Sequence, residues 1–144
     1  MTSQKEKDAQ IKVEEAIKHI EKFKKDGAKS VKDAPLEKAL ECLNKAIIND
    51  DASFAKAYFL RGQCYQYMND FQRALYDFTV AIKIGHERKE YKKDIAEYYN
   101  YAGVQHFEMN QIPEALEYYR KAVEYNSGSG MYLYNQALAF SRMD

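Results

Sequence analysis

The sequence predicts an all-α protein built as an α-solenoid, a stack of antiparallel helical hairpins with about seven helices. One observation is internal repetition, because similar side chains recur in the same order over residues 55–84 and 96–125. Another is that the apolar residues of each stretch lie three and four apart, which is the spacing of one helix face. The composition agrees, with 31% charged residues and only two prolines.

Each repeated unit begins with a helix that carries a glycine near its centre. Tyr58, Gly62 and Tyr65 lie on one face of the first copy, and Tyr99 and Gly103 hold equivalent places in the second. Glycine inside a helix costs about 0.5–1 kcal/mol relative to alanine, so its presence indicates close contact with another helix. We therefore expect a second helix to approach closely at each glycine.

A second amphipathic helix follows in each unit after a short polar turn. Asp70 can cap one of these helices, and Pro113 suits the first turn of the other. Their apolar positions are Phe71, Ala74, Leu75, Phe78, Ala81 and Ile82 in one copy, and Ile112, Ala115, Leu116, Tyr119, Ala122 and Val123 in the other. Each unit is thus predicted to be a hairpin in which an alanine faces the glycine and an aromatic ring closes over the gap.

These residues resemble the tetratricopeptide-repeat family, whose pattern runs aromatic, Leu-Gly, Tyr, Ala, aromatic, Ala over about 34 residues. Arg61 and Ala102 stand where the family usually has Leu, and His106 stands where it has Tyr. The resemblance implies a right-handed α-solenoid whose first helices line a concave groove. Such grooves hold peptides or helices of partner proteins.

The repetition extends beyond the two clear copies. A second helix is expected at Leu36, Ala39 and Leu43, with Asp33 as its cap. The expected units are repeat 1 at about residues 8–50, repeat 2 at about 53–86, repeat 3 at about 95–128, and the first helix of a fourth repeat at about 130–143.

The first helix of repeat 1 allows two registers. The preferred register uses the stripe Val13, Ala16, Ile17 and Ile20. The alternative aligns Phe23 and Gly27 with the other repeats, but the segment around them is too polar for a packing face.

The period breaks between repeats 2 and 3. Gly62 and Gly103 are 41 residues apart, whereas Ala39 and Ala74 are 35 apart, so about seven residues are inserted near 85–94. Because this is close to two turns of about 3.6 residues, the insertion would lengthen both flanking helices without rotating their buried faces. The alternative is a loop that begins at Gly85. The segment also carries a candidate partner contact, formed by Arg88, Lys89, Lys92 and Lys93.

The resemblance implies groove residues at places two, five, nine and twelve of each first helix. They are Lys56, Phe59, Gln63 and Gln66 in repeat 2, Glu97, Asn100, Val104 and Phe107 in repeat 3, and Met131, Tyr134, Leu138 and Ser141 in the last helix. The set is partly apolar, which favours a partner peptide or amphipathic helix with hydrophobic anchors. Contacts of these residues with neighbouring repeats are the alternative.

Some members of the family hold the C-terminal carboxylate of chaperones with paired Lys, Arg and Asn side chains. In one register those places hold Phe59, Gln63, Tyr101, Met131 and Asn135. One repeat earlier they hold Glu14, Lys18, Leu60, Glu97 and Tyr101. Neither set supplies the paired cations that a carboxylate needs for charge-assisted hydrogen bonds, so we do not expect a chaperone C-terminal carboxylate as the partner.

Other function classes are disfavoured by charge and motifs. Lys plus Arg and Asp plus Glu both number 22, whereas nucleic-acid binders carry a basic excess. No long apolar run indicates a membrane segment, so we expect a cytoplasmic location, with a nuclear one as the alternative. His19, His86 and His106 lie in different units, and no metal-binding or phosphate-binding motif is present. We therefore expect no catalytic residues, no metal and no cofactor, and hence no enzyme.

The predicted function is a non-catalytic scaffold or adaptor that binds another protein in the groove. One alternative is a regulatory region of a longer protein that carries a catalytic or further repeat region. Another is a self-associating module that forms a homodimer through its last helix. In that helix the residues expected to pack inward are Leu133, Ala137 and Phe140. The residues expected to leave its outer face apolar are Tyr132, Tyr134 and Met143.

Overall fold

The computed structural model describes residues 3–26, 34–50 and 54–143. The helices in this part of the chain are α1 (Gln4–Asp26), α2 (Ala34–Lys45), α3 (Ala55–Tyr67), α4 (Phe71–Glu87), α5 (Lys92–Glu108), α6 (Ile112–Tyr125) and α7 (Gly130–Arg142). A π-helical turn, Ala46–Asp50, continues α2. No strand occurs among these residues, and the predicted all-α solenoid of seven helices is confirmed. Asp33 and Gly27 lie outside the described residues.

Short turns with left-handed residues join the helices within hairpins. Asn69 and Asn110 precede α4 and α6 at equivalent places and have φ of 60° and 59°. Asparagine tolerates this conformation better than most residues, so the turns reverse the chain in three residues. The Asp70 carboxylate then accepts a hydrogen bond from the Arg73 amide at 3.2 Å, which caps α4 as the sequence predicts. Pro113 lies in the first turn of α6, also as predicted.

The two central glycines lie against aromatic rings of the second helices. A Cβ atom added to Gly62 would lie 2.6 Å from Cε1 of Phe78, and one added to Gly103 would lie 2.7 Å from the ring of Tyr119. Phe78 is fully buried and Tyr119 nearly so. The rings therefore occupy the space that a side chain would need, and each hairpin closes only because the residue beneath the ring is glycine.

Gly103→Ala should lower the free energy of unfolding by about 1–2 kcal/mol, because the steric cost exceeds the gain in helix propensity. Gly130→Ala is the matched control, since an added Cβ there meets nothing within 4 Å. Urea denaturation of both variants measures the difference. Equal stability of the two variants would show that the Tyr119 ring can move aside without cost.

The inserted residues are helical. Helices α4 and α5 each contain 17 residues, compared with 14 in α6 and 13 in α3. The turn between them, residues 88–91, has the same length as the turn at 126–129. Gly85 lies inside α4, where an added Cβ would be 3.2 Å from Ile95. The loop alternative is therefore wrong, and the inserted residues lengthen both helices.

A buried ion pair joins three helices. The Arg61 guanidinium donates from Nε and Nη2 to the Asp77 carboxylate at 2.9 and 2.8 Å, and from Nη1 to the Asn44 side-chain oxygen at 3.1 Å. Burial raises the pKa of the Asp77 carboxyl, and the bonds from Arg61 oppose this increase. The same bonds raise the pKa of Arg61. This bidentate pair connects α2, α3 and α4 at a place where the family usually has leucine.

Arg61→Leu should lower the free energy of unfolding by about 3 kcal/mol, because it leaves the Asp77 carboxylate buried without a partner. The double variant Arg61→Leu/Asp77→Leu should lose less than Arg61→Leu alone, because no uncompensated charge remains. A double-mutant cycle by urea denaturation tests this. Additive losses would mean that the two side chains stabilise the protein independently.

The face of α1 that packs against the other helices is the one expected from the preferred register of repeat 1. Val13, Ala16 and Ile20 are buried together with Ala9, while Ile17 is partly buried against them. No described helix is both long and apolar enough to cross a bilayer.

Helix α7 does not show the exposure that the sequence predicts. Leu133, Ala137 and Phe140 are exposed, whereas Tyr132 is buried beside α5 and α6. The three exposed residues lie at the places that face the second helix of the hairpin in α3 and α5. No such helix follows α7 in the described part of the chain, so the expected inward packing was wrong.

Candidate functional site

The first helices of the hairpins adjoin through side-chain contacts along one face. Phe23 of α1 packs on Tyr67 of α3 with ring centroids 5.1 Å apart. Between α3 and α5, the Gln105 amide donates to Gln66 Oε1 at 2.7 Å. Between α5 and α7, the Asn135 amide donates to Asn100 Oδ1 at 2.9 Å. Helices α1, α3, α5 and α7 thus form one continuous row. We call the side of this row that carries the predicted groove residues the groove face.

Some predicted groove residues lie beneath this row. Phe59 is only 1% exposed, because the rings of Tyr98 and Tyr101 from α5 both pack on it with centroids 5.0 Å away. Asn100 is 3% exposed under Asn135, and Gln63 is also buried. In each case the next first helix covers the residue. The structure therefore corrects the prediction that these three side chains contact a partner.

The other predicted groove residues retain accessible surface. Towards the C-terminal end they form a set that we call the apolar patch: Val104, Phe107, Met131, Tyr134 and Leu138. Phe107 packs partly against the cluster that contains Ala139, and the Arg142 guanidinium lies 5.0 Å from its ring centroid. The part of α7 from Gly130 to Ser141 carries no charged side chain, so this end of the groove offers mainly apolar contacts.

The opposite end of the groove face is charged. Burial raises the pKa of the Glu97 carboxyl, and the positive charges of Lys56, Lys24 and Lys93 lower it in part. Lys56 also lies over the Phe59 ring, with Nζ 5.3 Å from the centroid. Asp94 opposes these cations by raising the pKa of Glu97, and Lys24 also pairs with Glu21 at 4.0 Å. Three cations and three carboxylates therefore balance at this end, which presents mixed charge.

The structure adds groove residues that the sequence did not indicate. Tyr67 and Glu108 line a depression of about 260 Å³ together with Gln66 and Val104. Gln105 lies beneath this region and its Oε1 atom is buried without a hydrogen-bond partner among the described residues. Tyr67 escaped prediction because it is the last residue of α3, beyond the four groove places.

The cations of the insertion do not form one group with the apolar patch. Arg88, Lys89, Lys92 and Lys93 are all exposed at the turn between α4 and α5. Lys93 lowers the pKa of the Glu97 carboxyl in part. Arg88 instead lines a separate cavity of about 780 Å³, together with Glu6, Lys7, Gln10, Ile11, Phe54 and Glu90.

Two of the histidines, His86 and His106, take part in separate local contacts. His86 Nε2 lies 2.9 Å from the Tyr99 hydroxyl, and His106 Nδ1 lies 2.7 Å from Gln111 Oε1. His106 also packs on the ring of Tyr118, as expected for a structural residue. Within the described ranges, no group of three His, Cys, Asp or Glu side chains could hold a metal ion.

Comparison with known proteins agrees with the repeat structure. The family model for the tetratricopeptide repeat matches residues 55–86 and 96–129. These two segments are tetratricopeptide repeats. The matches cover the two hairpins in which glycine faces an aromatic ring. No curated protein matches this tetratricopeptide-repeat chain.

Several solved tetratricopeptide-repeat domains have the same fold. The first such domain of Spaghetti (RPAP3), bound to the HSP90 peptide SRMEEVD, gives a TM-score of 0.79 at 15% identity and covers 95% of this chain and 94% of that chain. The N-terminal domain of stress-induced protein-1 from C. elegans also gives 0.79, at 16% identity, covering 95% and 98%. The second domain of human RPAP3, in complex with the HSP70 peptide SGPTIEEVD, gives 0.70 at 15% identity, covering 91% and 97%. At these identities the likeness shows the fold alone.

Phe59→Ala should lower the free energy of unfolding by about 3–5 kcal/mol, because it leaves a cavity among the aromatic rings of α3, α4 and α5. Tyr134→Ala, on the exposed face of α7, should change it by less than about 0.5 kcal/mol. Chemical denaturation followed by circular dichroism measures both. A small effect of Phe59→Ala on the free energy of unfolding would contradict its burial and would indicate that Phe59 is accessible in the groove.

Proposed function

We propose that this chain is a non-catalytic protein-interaction module, a scaffold or adaptor whose concave groove binds a peptide or amphipathic helix of a partner protein. The observation that carries the proposal is the apolar patch. Tyr134 is 65% exposed, Met131 59% and Leu138 37%, all on the groove face of α7. Contiguous exposed apolar side chains of this size are typical of protein-binding surfaces.

The two ends of the groove indicate what the partner segment carries. Apolar anchors of the partner would pack against Tyr134, Leu138 and Phe107. The other end has mixed charge, with Lys24, Lys56 and Lys93 beside Glu21, Asp94 and Glu97, so the partner segment would be polar there. A segment with hydrophobic residues at one end and polar residues at the other matches both features. We infer that this protein is cytoplasmic, with a nuclear location as the alternative, and imaging of the tagged protein would test this.

Chaperone tails are poor candidates for this partner, although two of the similar structures hold chaperone peptides. The places that would hold the carboxylate contain a buried Phe59, an Asn135 bonded to Asn100, and Met131. None of these side chains is a cation. We propose that the groove selects a partner through apolar anchors instead.

The double variant Tyr134→Ala/Leu138→Ala should weaken partner binding by about tenfold or more, because it removes two anchors of the apolar patch. Tyr76→Ala is the matched control, since Tyr76 is 64% exposed but lies on a second helix, α4. Affinity capture from the source cell with the three proteins identifies what is retained. A titration of each retained partner then gives the affinities.

Two results would contradict the proposal. If the double variant and the wild type retain every partner equally, the groove is not the binding site. Saturable binding of the peptide SRMEEVD with a Kd well below about 1 mM would show that the groove accepts a chaperone tail after all.

A further inference from the structure

A cleft lies between the second helices α4 and α6, outside the groove face. Both helices pack mainly on α5 rather than on each other, and a space of about 320 Å³ remains between them. Its walls include Ile82 and Lys83 from α4, Tyr99 from α5, and Glu117, Tyr118 and Lys121 from α6. We call this space the tyrosine cleft. Its volume lies near the lower end of the range for small-molecule sites.

The aromatic walls of the tyrosine cleft are held in place by contacts behind them. Tyr99 stacks on Tyr125 with ring centroids 5.6 Å apart, and its hydroxyl lies 2.9 Å from His86 Nε2. Tyr118 packs on the ring of His106 at 4.9 Å. The Tyr99 and Tyr118 rings are themselves 6.0 Å apart. The two rings thus form a preformed apolar surface, so a ligand does not have to order them on binding.

The charged side chains of the tyrosine cleft favour an anion. Lys83 is exposed on α4 and forms no ion pair with any described residue. Lys121 on α6 lies 3.9 Å from Glu124, and such exposed pairs are weak. Glu117 is the one carboxylate among the residues that line the cleft, and Arg120 of the same helix binds it. Each wall therefore offers one ammonium group to a negative ligand, while the carboxylate already has a partner.

Other classes of ligand fit the tyrosine cleft less well. Two tyrosine rings beside Glu117 would suit a quaternary ammonium group, but Lys83 and Lys121 would repel it. A neutral aromatic compound would contact the rings and leave both ammonium groups unused. Glu87, one turn after Lys83, does not line the cleft. The combination of rings and cations therefore selects an aromatic ring that bears a negative charge.

We propose that the tyrosine cleft binds a small aromatic acid, a compound of one or two rings with one anionic group. The ring packs against Tyr99 and Tyr118, and the anionic group accepts hydrogen bonds from Lys83 and Lys121. This site goes beyond the groove, because second helices form it, whereas the apolar patch lies on α5 and α7.

The probe is 3-phenylpropionate, and its uncharged counterpart with the same ring is 3-phenylpropan-1-ol. Titration of the isotope-labelled full chain, followed by heteronuclear NMR, measures both affinities. We expect saturable binding of 3-phenylpropionate with a Kd of about 1 mM or lower, and about tenfold weaker binding of the alcohol. The largest shifts should occur at residues 79–83 and 117–121, which bound the cleft.

The double variant Lys83→Met/Lys121→Met keeps most of each apolar stem and removes both ammonium groups. It should weaken 3-phenylpropionate binding by about tenfold or more and leave the affinity for the alcohol unchanged, because only the anion uses these groups. Lys38→Met/Lys92→Met is the matched control, since it removes the same total charge from exposed positions outside the cleft. This control should bind as the wild type does.

Two further comparisons separate the contribution of the rings from that of the groove. The saturated analogue 3-cyclohexylpropionate should bind about threefold more weakly than 3-phenylpropionate, because it cannot stack on the tyrosine rings. Tyr134→Ala/Leu138→Ala, which removes two anchors of the apolar patch, should leave 3-phenylpropionate binding unchanged. A failure of groove binding and a failure of the tyrosine cleft are therefore distinguishable.

Any of four results would overturn the proposal, and two of them need no variant. In the first, 3-phenylpropionate shows no saturable shift up to about 20 mM. In the second, the acid and the alcohol bind the wild type equally well, so charge plays no part. In the third, both lysine double variants weaken binding to the same extent, which indicates a non-specific effect of net charge. In the fourth, the largest shifts occur in α7, which assigns the probe to the apolar patch.

Discussion

Close approach of two helices at a glycine is the contact on which the rest of this structure depends. Phe78 lies directly over Gly62, and an added Cβ would fall 2.6 Å from its ring. Held there, Phe78 packs on Phe59 and on Tyr101 of the next repeat, with ring centroids 5.6 and 5.4 Å away. One hairpin contact therefore also sets the distance to the neighbouring hairpin. Because the rings of Phe59 and Phe78 are rigid and fully buried, a shift in one hairpin would move its neighbour as well.

The longer α4 and α5 helices show how a solenoid accommodates extra residues. About seven residues correspond to two helical turns, one on each helix, so the buried faces return to the same orientation. Gly85 permits the extended part of α4 to lie close to Ile95 of α5. The cations at the turn between the two helices and in the first turn of α5 are exposed, and the charge of Lys93 lowers the pKa of the Glu97 carboxyl in part. The break in period thus adds charged surface without disturbing the hairpin core.

The fold was predictable to a much greater extent than the site. Glycine, alanine and aromatic residues recur at fixed spacing, and helix periodicity converts that spacing into faces without further information. Predicting which groove residues are accessible also required knowledge of the neighbouring helix. Phe59 occupies a groove place in the family pattern, but Tyr98 and Tyr101 cover it. Tyr67 was missed because its exposure depends on where α3 ends and how α1 packs beside it.

The sequence alone determined the two hairpins centred on Gly62 and Gly103, since these depend on contacts between residues close in the chain. It left the insertion open between longer helices and a loop. Only the tertiary structure decided which side chains remain accessible, because burial depends on what the next helix places above a residue. Asn100 is covered by Asn135, while Tyr134, its equivalent one repeat later, is 65% exposed. The same place in the repeat is thus core in one helix and surface in the next, because no described first helix follows α7.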